Sequence, residues 1–288
     1  MSDQTLFAEV GEVNSLREWI KAHPRIKIIL KLLRNSTSPF LSLGNLKGLL
    51  NYPEFISDYV CFRRMGGQAS FLSIYPILSE KTEIHSIDPH YFYQAVWAMS
   101  LIANSKATEH YDVGSQAIFV GMLTTITKVK FIDIRPLGVS LDSFSEYKGT
   151  ILNLPMIDKT VMSLSCLHVA EHIGLGRYGD PIDPNGTVKA GKELERVLAP
   201  GGNLYFSLPV GKPRIEFNAH RVHSVSQVLS FFEDLRLVQF SIVTDDGVFH
   251  QDIPTTGWDN QNYACGMFWF KNVNRMVAYA EAGWNAEG

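Results

Sequence analysis

The chain has 288 residues, 45% hydrophobic and 19% charged, which allows one large or two small domains with a sizeable core and excludes a disordered chain. The net charge of -3 speaks against a general nucleic-acid binder, which carries a basic surface. No apolar run approaches the ~20 residues that cross a bilayer, no leader pattern opens the chain, and Cys61, Cys166 and Cys265 are dispersed without a CxxC, so buried free thiols in a cytoplasmic protein are expected.

Residues 1–85 read as a mostly helical N-terminal region and residues 86–288 as an α/β domain. Basic residues dominate from Arg17 to Lys47, and Lys27, Lys31 and Arg34 share a helix face. That face is either a solvated edge or a peripheral contact with an anionic membrane surface. Asp88-Pro89 starts a helix running to Ser105, whose His90, Tyr91 and Gln94 are placed to border a pocket. Next come a polar first strand ending in DVGS (Asp112 to Ser115), a helix, and a second strand, VKFIDIRPL, carrying Asp133. GTILNLP is the expected third strand and VMSLSCL the fourth.

After the fourth strand the chain reads HVAEHIGLGRYGDPIDPNG, too rich in Gly, Pro and Asp for helix or strand. Asn185 or Thr187 is the expected cap of a helix with Val188, Leu194, Val197 and Leu198 on its apolar side. Pro200-Gly201-Gly202 stops that helix, and NLYFSLPV is the fifth strand. VLSFFEDL is a further helix, LRLVQFSIV the sixth strand and CGMFWFKNV the seventh. Strands alternating with helices imply a largely parallel sheet covered on both faces, whose ligands sit at the carboxyl ends of the strands.

Two polar loops reach that edge. His168, Glu171 and His172 form H-x-x-E-H, which on a continuous helix would let two histidines share a zinc. Gly174 and Gly176 leave little helix to hold such geometry, so no metal is assigned. His172 and His220, placed after neighbouring strands, are the candidate bases, with Glu171 or Asp180 to orient them. Arg177, Arg221 and His223 are candidate substrate contacts, the arginines suiting a carboxylate or phosphate.

In this order the signals resemble the class I methyltransferases, a Rossmann-like seven-stranded fold here extended by N-terminal helices. The resemblance spans roughly residues 107–270 and rests on DVGS, Asp133, Leu154-Pro155, Glu171-His172 and the RVLAPGG turn. It implies S-adenosylmethionine as cofactor, contacted by Asp112, Gly114, Ser115, Gln116 and Asp133, with Asp133 on the ribose. Gln116 stands where that family has a second glycine, and Thr150 where many members have an acidic residue. EHIGLGRYGDPIDPNG, KELERVLAPGGNLYFSLPVGKPR and FNAHRVHS also resemble a family of uncharacterised proteins with a domain of unknown function. Its bacterial members tend to accompany surface-polysaccharide genes, which implies a sugar or related polar metabolite as acceptor. Two other classes fit the same residues: a methyltransferase-shaped binding or assembly protein without cofactor, and a metal-dependent enzyme using the His/Glu/Asp cluster.

Overall fold

The computed structural model describes residues 50–273 except positions 79, 82, 84 and 86; the basic stretch Arg17 to Lys47 lies outside them. The chain divides into two compact units, Met1–Ser86 and Ile87–Gly288. In the first, helix α1 (Tyr52–Arg64) starts with a proline in its first turn and ends on Arg63 and Arg64, favourable to the helix dipole, and buries none of its residues. Cys61 on this helix is exposed, which corrects the expectation of three buried thiols; Cys166 and Cys265 are buried.

The second unit is a three-layer α/β fold. Helix α2 (Pro89–Ser105) is capped by the Asp88 carboxylate, which accepts from the His90 and Tyr91 amides. Strand β1 (Glu109–Val113), helix α3 (Ala117–Leu123), β2 (Lys128–Asp133), β3 (Phe144–Lys148) and β4 (Val161–Leu167) follow. A single 3-10 turn at Ala170–His172 leads to helix α4 (Gly186–Val197) and β5 (Leu198–Val210). The chain continues through β6 (Arg214–Glu216), β7 (His220–Val222), helix α5 (Val225–Phe231), β8 (Arg236–Val243), β9 (Phe249–His250) and β10 (Ala264–Lys271).

The main sheet runs β3-β2-β1-β4-β5-β10-β8-β9. Its first five strands pair in parallel, and β10 enters antiparallel between β5 and β8. This is the Rossmann-like arrangement of methyltransferase type, with strand order reversing between β1 and β4. At such a switch point neighbouring connections leave to opposite faces and open a crevice at the carboxyl ends of the strands. Period-two alternation covers both faces: Leu204, Phe206 and Leu208 of β5 pack with Leu194 of α4 and Val228 of α5. Tyr205 between them packs with Trp97 and Ile102 of α2 and Leu123 of α3.

Several local expectations are corrected. The third strand is FSEYK, not GTILNLP, whose Thr150 and Asn153 form only an isolated bridge around a turn. Asn185 occupies the cap position of α4 without a side-chain bond, and Thr187 instead donates to the Ala170 carbonyl. The sheet has an eighth strand, the two-residue β9, and β6 and β7 form a separate ribbon.

The polar first strand lies in the middle of the sheet because its polar groups are partnered. Ser165 Oγ donates to the Asp112 carboxylate, so it accepts from His110 Nε2–H, leaving His110 Nδ1 to accept from Ser163 Oγ. Burial pushes the His110 imidazole down to about 3, so it stays neutral and both its nitrogens are satisfied.

Candidate functional site

Two adjoining cavities open at the switch point and share Gly114, His168, His172 and Tyr178. The smaller, about 100 Å³, lies between the ends of β1 and β2 and the loop after β3. Gly114 holds φ +70 after β1, and a Cβ there would sit 3.0 Å from Val169 Cγ1 and 3.5 Å from Asp133 Oδ2. The positive φ strains any other residue there, and a Cβ would also press on the Val169 side chain. Asp133 accepts the Arg135 amide on Oδ1 at 2.7 Å, while Oδ2 stays beside Gly114 at the cavity. Ile134, Ile151 and Leu152 supply an apolar wall.

Gly114 and Asp133 are therefore brought together as expected. Asp112 and Ser115 are not at the cavity surface: both are buried, and they tie the turn to the sheet. Asp112 accepts from the Ser115 amide at 3.0 Å, and Ser115 Oγ accepts from the Leu167 amide at 3.0 Å. Burial pushes the Asp112 carboxyl up to about 6. Gln116 is exposed at the start of α3 and lines the larger cavity, about 460 Å³.

The larger cavity is walled by rings. His168 follows β4 with φ 55, a left-handed conformation unfavourable for a residue with a Cβ. Its Nδ1 meets Glu171 Oε1 at 2.9 Å and its Nε2 meets Cys265 Sγ at 3.3 Å. Burial would discharge His168, but Cys265 and the Glu171 carboxylate outweigh it and hold the imidazole well above its usual range. Burial would likewise protonate Glu171, yet His168 keeps its carboxyl below the usual range. The two form a buried ion pair, with Glu171 Oε2 left without a hydrogen-bond partner.

His172 lies in the 3-10 turn, its Nδ1 donating to the Ala219 carbonyl at 2.7 Å. In the neutral ring this leaves Nε2 as the basic nitrogen, 3.6 Å from Glu171 Oε1. His220, on β7, lines the same cavity, packs tilted against Tyr263 at 4.7 Å and has Glu216 at 3.2 Å. Burial lowers its pKa more than Glu216 raises it, so the ring is neutral at pH 7.

Other sequence candidates serve the loop itself. Asp180 accepts the Gly174 amide at 2.6 Å and the Tyr178 amide at 3.2 Å, so it orients neither histidine. Arg177 does not pair with Asp180; its Nη1 donates to Ala219 O at 3.0 Å at the cavity mouth. Arg221 is buried, and its guanidinium donates to the carbonyls of Ile173, Asp183 and Pro184, stitching the loop to β7. His223 is buried against Phe231, and burial pushes it down to about 4. Among the described residues no group of three or more His, Cys, Asp or Glu side chains is arranged to hold a metal.

Sequence reasoning missed Tyr178, Tyr263, Arg135 and Glu216. Tyr178 sits at the junction of the cavities, with the Arg135 guanidinium 4.3 Å and that of Arg177 5.2 Å from its ring centre. Its signal was a lone aromatic between the loop glycines Gly176 and Gly179. Tyr263 reaches the site because β10 is antiparallel, so the start of that strand lies at the edge where the parallel strands end.

Residues 157–243 match the model of a family described as Caenorhabditis protein of unknown function, DUF268. No curated protein matches the chain. Solved structures with a similar arrangement include the N-methyltransferase NodS from Bradyrhizobium japonicum WM9 in complex with S-adenosyl-L-homocysteine. That pair is 16% identical over 65% of this chain and 89% of the other, with a TM-score of 0.46. YcgJ from Bacillus subtilis is 12% identical over 62% of this chain and 99% of its own, TM-score 0.44. The 1,6-didemethyltoxoflavin-N1-methyltransferase of Burkholderia thailandensis is 10% identical over 67% and 94%, TM-score 0.43.

Proposed function

We propose that the protein is an S-adenosylmethionine-dependent methyltransferase acting on a hydroxyl of a sugar or related polar metabolite in surface-glycan synthesis. The observation that carries the reading is the joined pair of cavities at the switch point, one around Gly114 and Asp133 and one walled by His172 and His220. The cradle fits a nucleoside: Gly114 permits close backbone approach, Asp133 Oδ2 is open to a ribose hydroxyl, and an apolar wall suits a base. Bound there, the cofactor supplies an electrophilic methyl group for in-line displacement.

The chain's own residues align the acceptor, exclude water and remove a proton. His172 is the preferred base: Ala219 fixes its Nδ1–H, and Nε2 takes the proton beside the Glu171 carboxylate, which stabilises the resulting imidazolium. His220, neutral at pH 7 and backed by Glu216, is the second. The loop carrying Tyr178 and Pro181 covers the smaller cavity.

Calorimetric titration with S-adenosylmethionine and S-adenosylhomocysteine tests the reading. Saturable binding of both is expected. Failure of both to bind would leave a methyltransferase-shaped binding or assembly protein as the surviving alternative.

A further inference from the structure

We infer that the larger cavity takes a ring-shaped carboxylic acid, its carboxylate held by Arg177 and its ring set against the tyrosine and histidine side chains of the wall. The inference rests on the methyltransferase reading for the reaction, though not for the binding.

Charge inside the cavity is one-sided. Arg177 lines it, and among the described residues its guanidinium has no acidic partner; its one carbonyl acceptor is Ala219, and it lies beside His172 Nδ1 at 3.4 Å. Among the described residues no Asp or Glu is part of the cavity wall. The nearby acids face other groups: Glu171 meets His168 and His172, Glu216 meets Arg214 at 2.7 Å and His220 at 3.2 Å, and Asp180 accepts the amides of its own loop. A cationic acceptor would find no carboxylate in that wall. A neutral polyol would find no carboxylate to accept from its hydroxyls, with Gln116 the lone carboxamide in the wall. A carboxylate, by contrast, matches the free edge of a guanidinium with two parallel N–H donors.

Shape is set by the rings. Tyr91, Tyr178 and Tyr263 line the cavity with His172 and His220, and each tyrosine is braced by a histidine, Tyr91 by His168. Tyr178 meets His172 edge to face at 5.8 Å, and His220 packs on Tyr263 at 4.7 Å. Tyr263 is covered by His90 at 5.6 Å as well as by His220, so the ring edges and the partly exposed Tyr91 are what the cavity offers to an aromatic ring or the C–H face of a pyranose. Arg177 lies 5.2 Å from the centre of the Tyr178 ring, so an acid held there stands beside the rings.

The test is calorimetry on the full chain with two matched pairs: glucuronate against glucose, and 4-hydroxybenzoate against phenol. At least one acid is expected to bind about tenfold more tightly than its neutral counterpart. The pair that discriminates identifies the ring as pyranose or aromatic. Arg177→Gln is expected to abolish the preference, and Arg177→Lys to retain part of it. The inference is overturned if neither acid outbinds its counterpart, or if the preference survives Arg177→Gln. Titration of S-adenosylhomocysteine into the same samples separates the two readings. Its binding without acid preference removes this inference alone, and acid preference without its binding removes the proposed reaction alone.

Discussion

Asp133 has one carboxylate oxygen bound to the Arg135 amide and the other at the cavity beside Gly114. Losing a hydrogen bond to such a charged group costs roughly 1.5–3 kcal/mol, so Asp133→Ala is expected to weaken S-adenosylhomocysteine binding about ten- to hundredfold. Its melting temperature should fall by only a few degrees, since the hydrogen bond lost within the fold, from the Arg135 amide, is exposed to solvent. Equal affinity of the two proteins would remove Asp133 from the site. His110 makes the opposite kind of prediction, on stability alone. Its pKa falls from 6.5 to about 3 on folding, so below pH 6.5 the unfolded chain binds a proton that the native chain refuses. The stabilisation is complete above pH 6.5 and is lost as pH falls towards 3. Asp112 opposes it, because a carboxyl raised to about 6 favours the native state as pH falls through that window. The clean readout is therefore a difference. His110→Gln keeps a donor and an acceptor for the two serines but cannot titrate, so its urea stability between pH 6 and 4 should fall less steeply, by up to ~1.4 kcal/mol per pH unit. Parallel slopes would mean that His110 is not held neutral.

At the scale of the element, the loop between the 3-10 turn and α4 is a built structure. Gly174 has φ +82, and a Cβ there would lie 2.1 Å from the Asp183 carbonyl, so the loop closes on itself only with glycine at this point. Arg221 holds the same closure from β7 through carbonyl contacts on both sides of it. Gly174→Ala should push Asp183 away and loosen the loop, seen as faster amide exchange over residues 174–186 with unchanged exchange in β4 and β5. Unchanged loop exchange would show that the closure tolerates the displacement. Because Tyr178 and Pro181 line the smaller cavity, replacing residues 174–186 with a short Gly/Ser linker should also abolish cofactor binding while the sheet stays folded. Full binding by that variant would assign the loop no part in the site.

At the scale of the molecule, residues 87–288 contain every strand of the sheet among the described residues and the helices on both its faces. A fragment with these bounds is expected to melt cooperatively and to bind S-adenosylhomocysteine as the full chain does. Loss of cooperative unfolding would make the N-terminal unit part of the folding unit.

How much of this was legible without the structure follows from how far each signal reaches along the chain. Most strands of the sheet, the Asp88 cap, the turn at Gly114 and Asp133 at a strand end were readable, because burial periodicity, helix capping and glycine turns are encoded within a few residues. The third strand escaped because FSEYK is an edge strand whose residues are all half-buried or exposed, so its pattern carries little apolar contrast. The roles of Arg221, Asp180 and His110 were decided by tertiary structure alone. Arg221 meets Ile173 and Asp183 across 48 and 38 residues, and His110 meets Ser163 and Ser165 across 53 and 55. A polar side chain has the same local sequence signature whether it faces a ligand or a backbone carbonyl. Only the packing of distant segments determines which partner it meets, and only the antiparallel entry of β10 brings Tyr263 to the cavity.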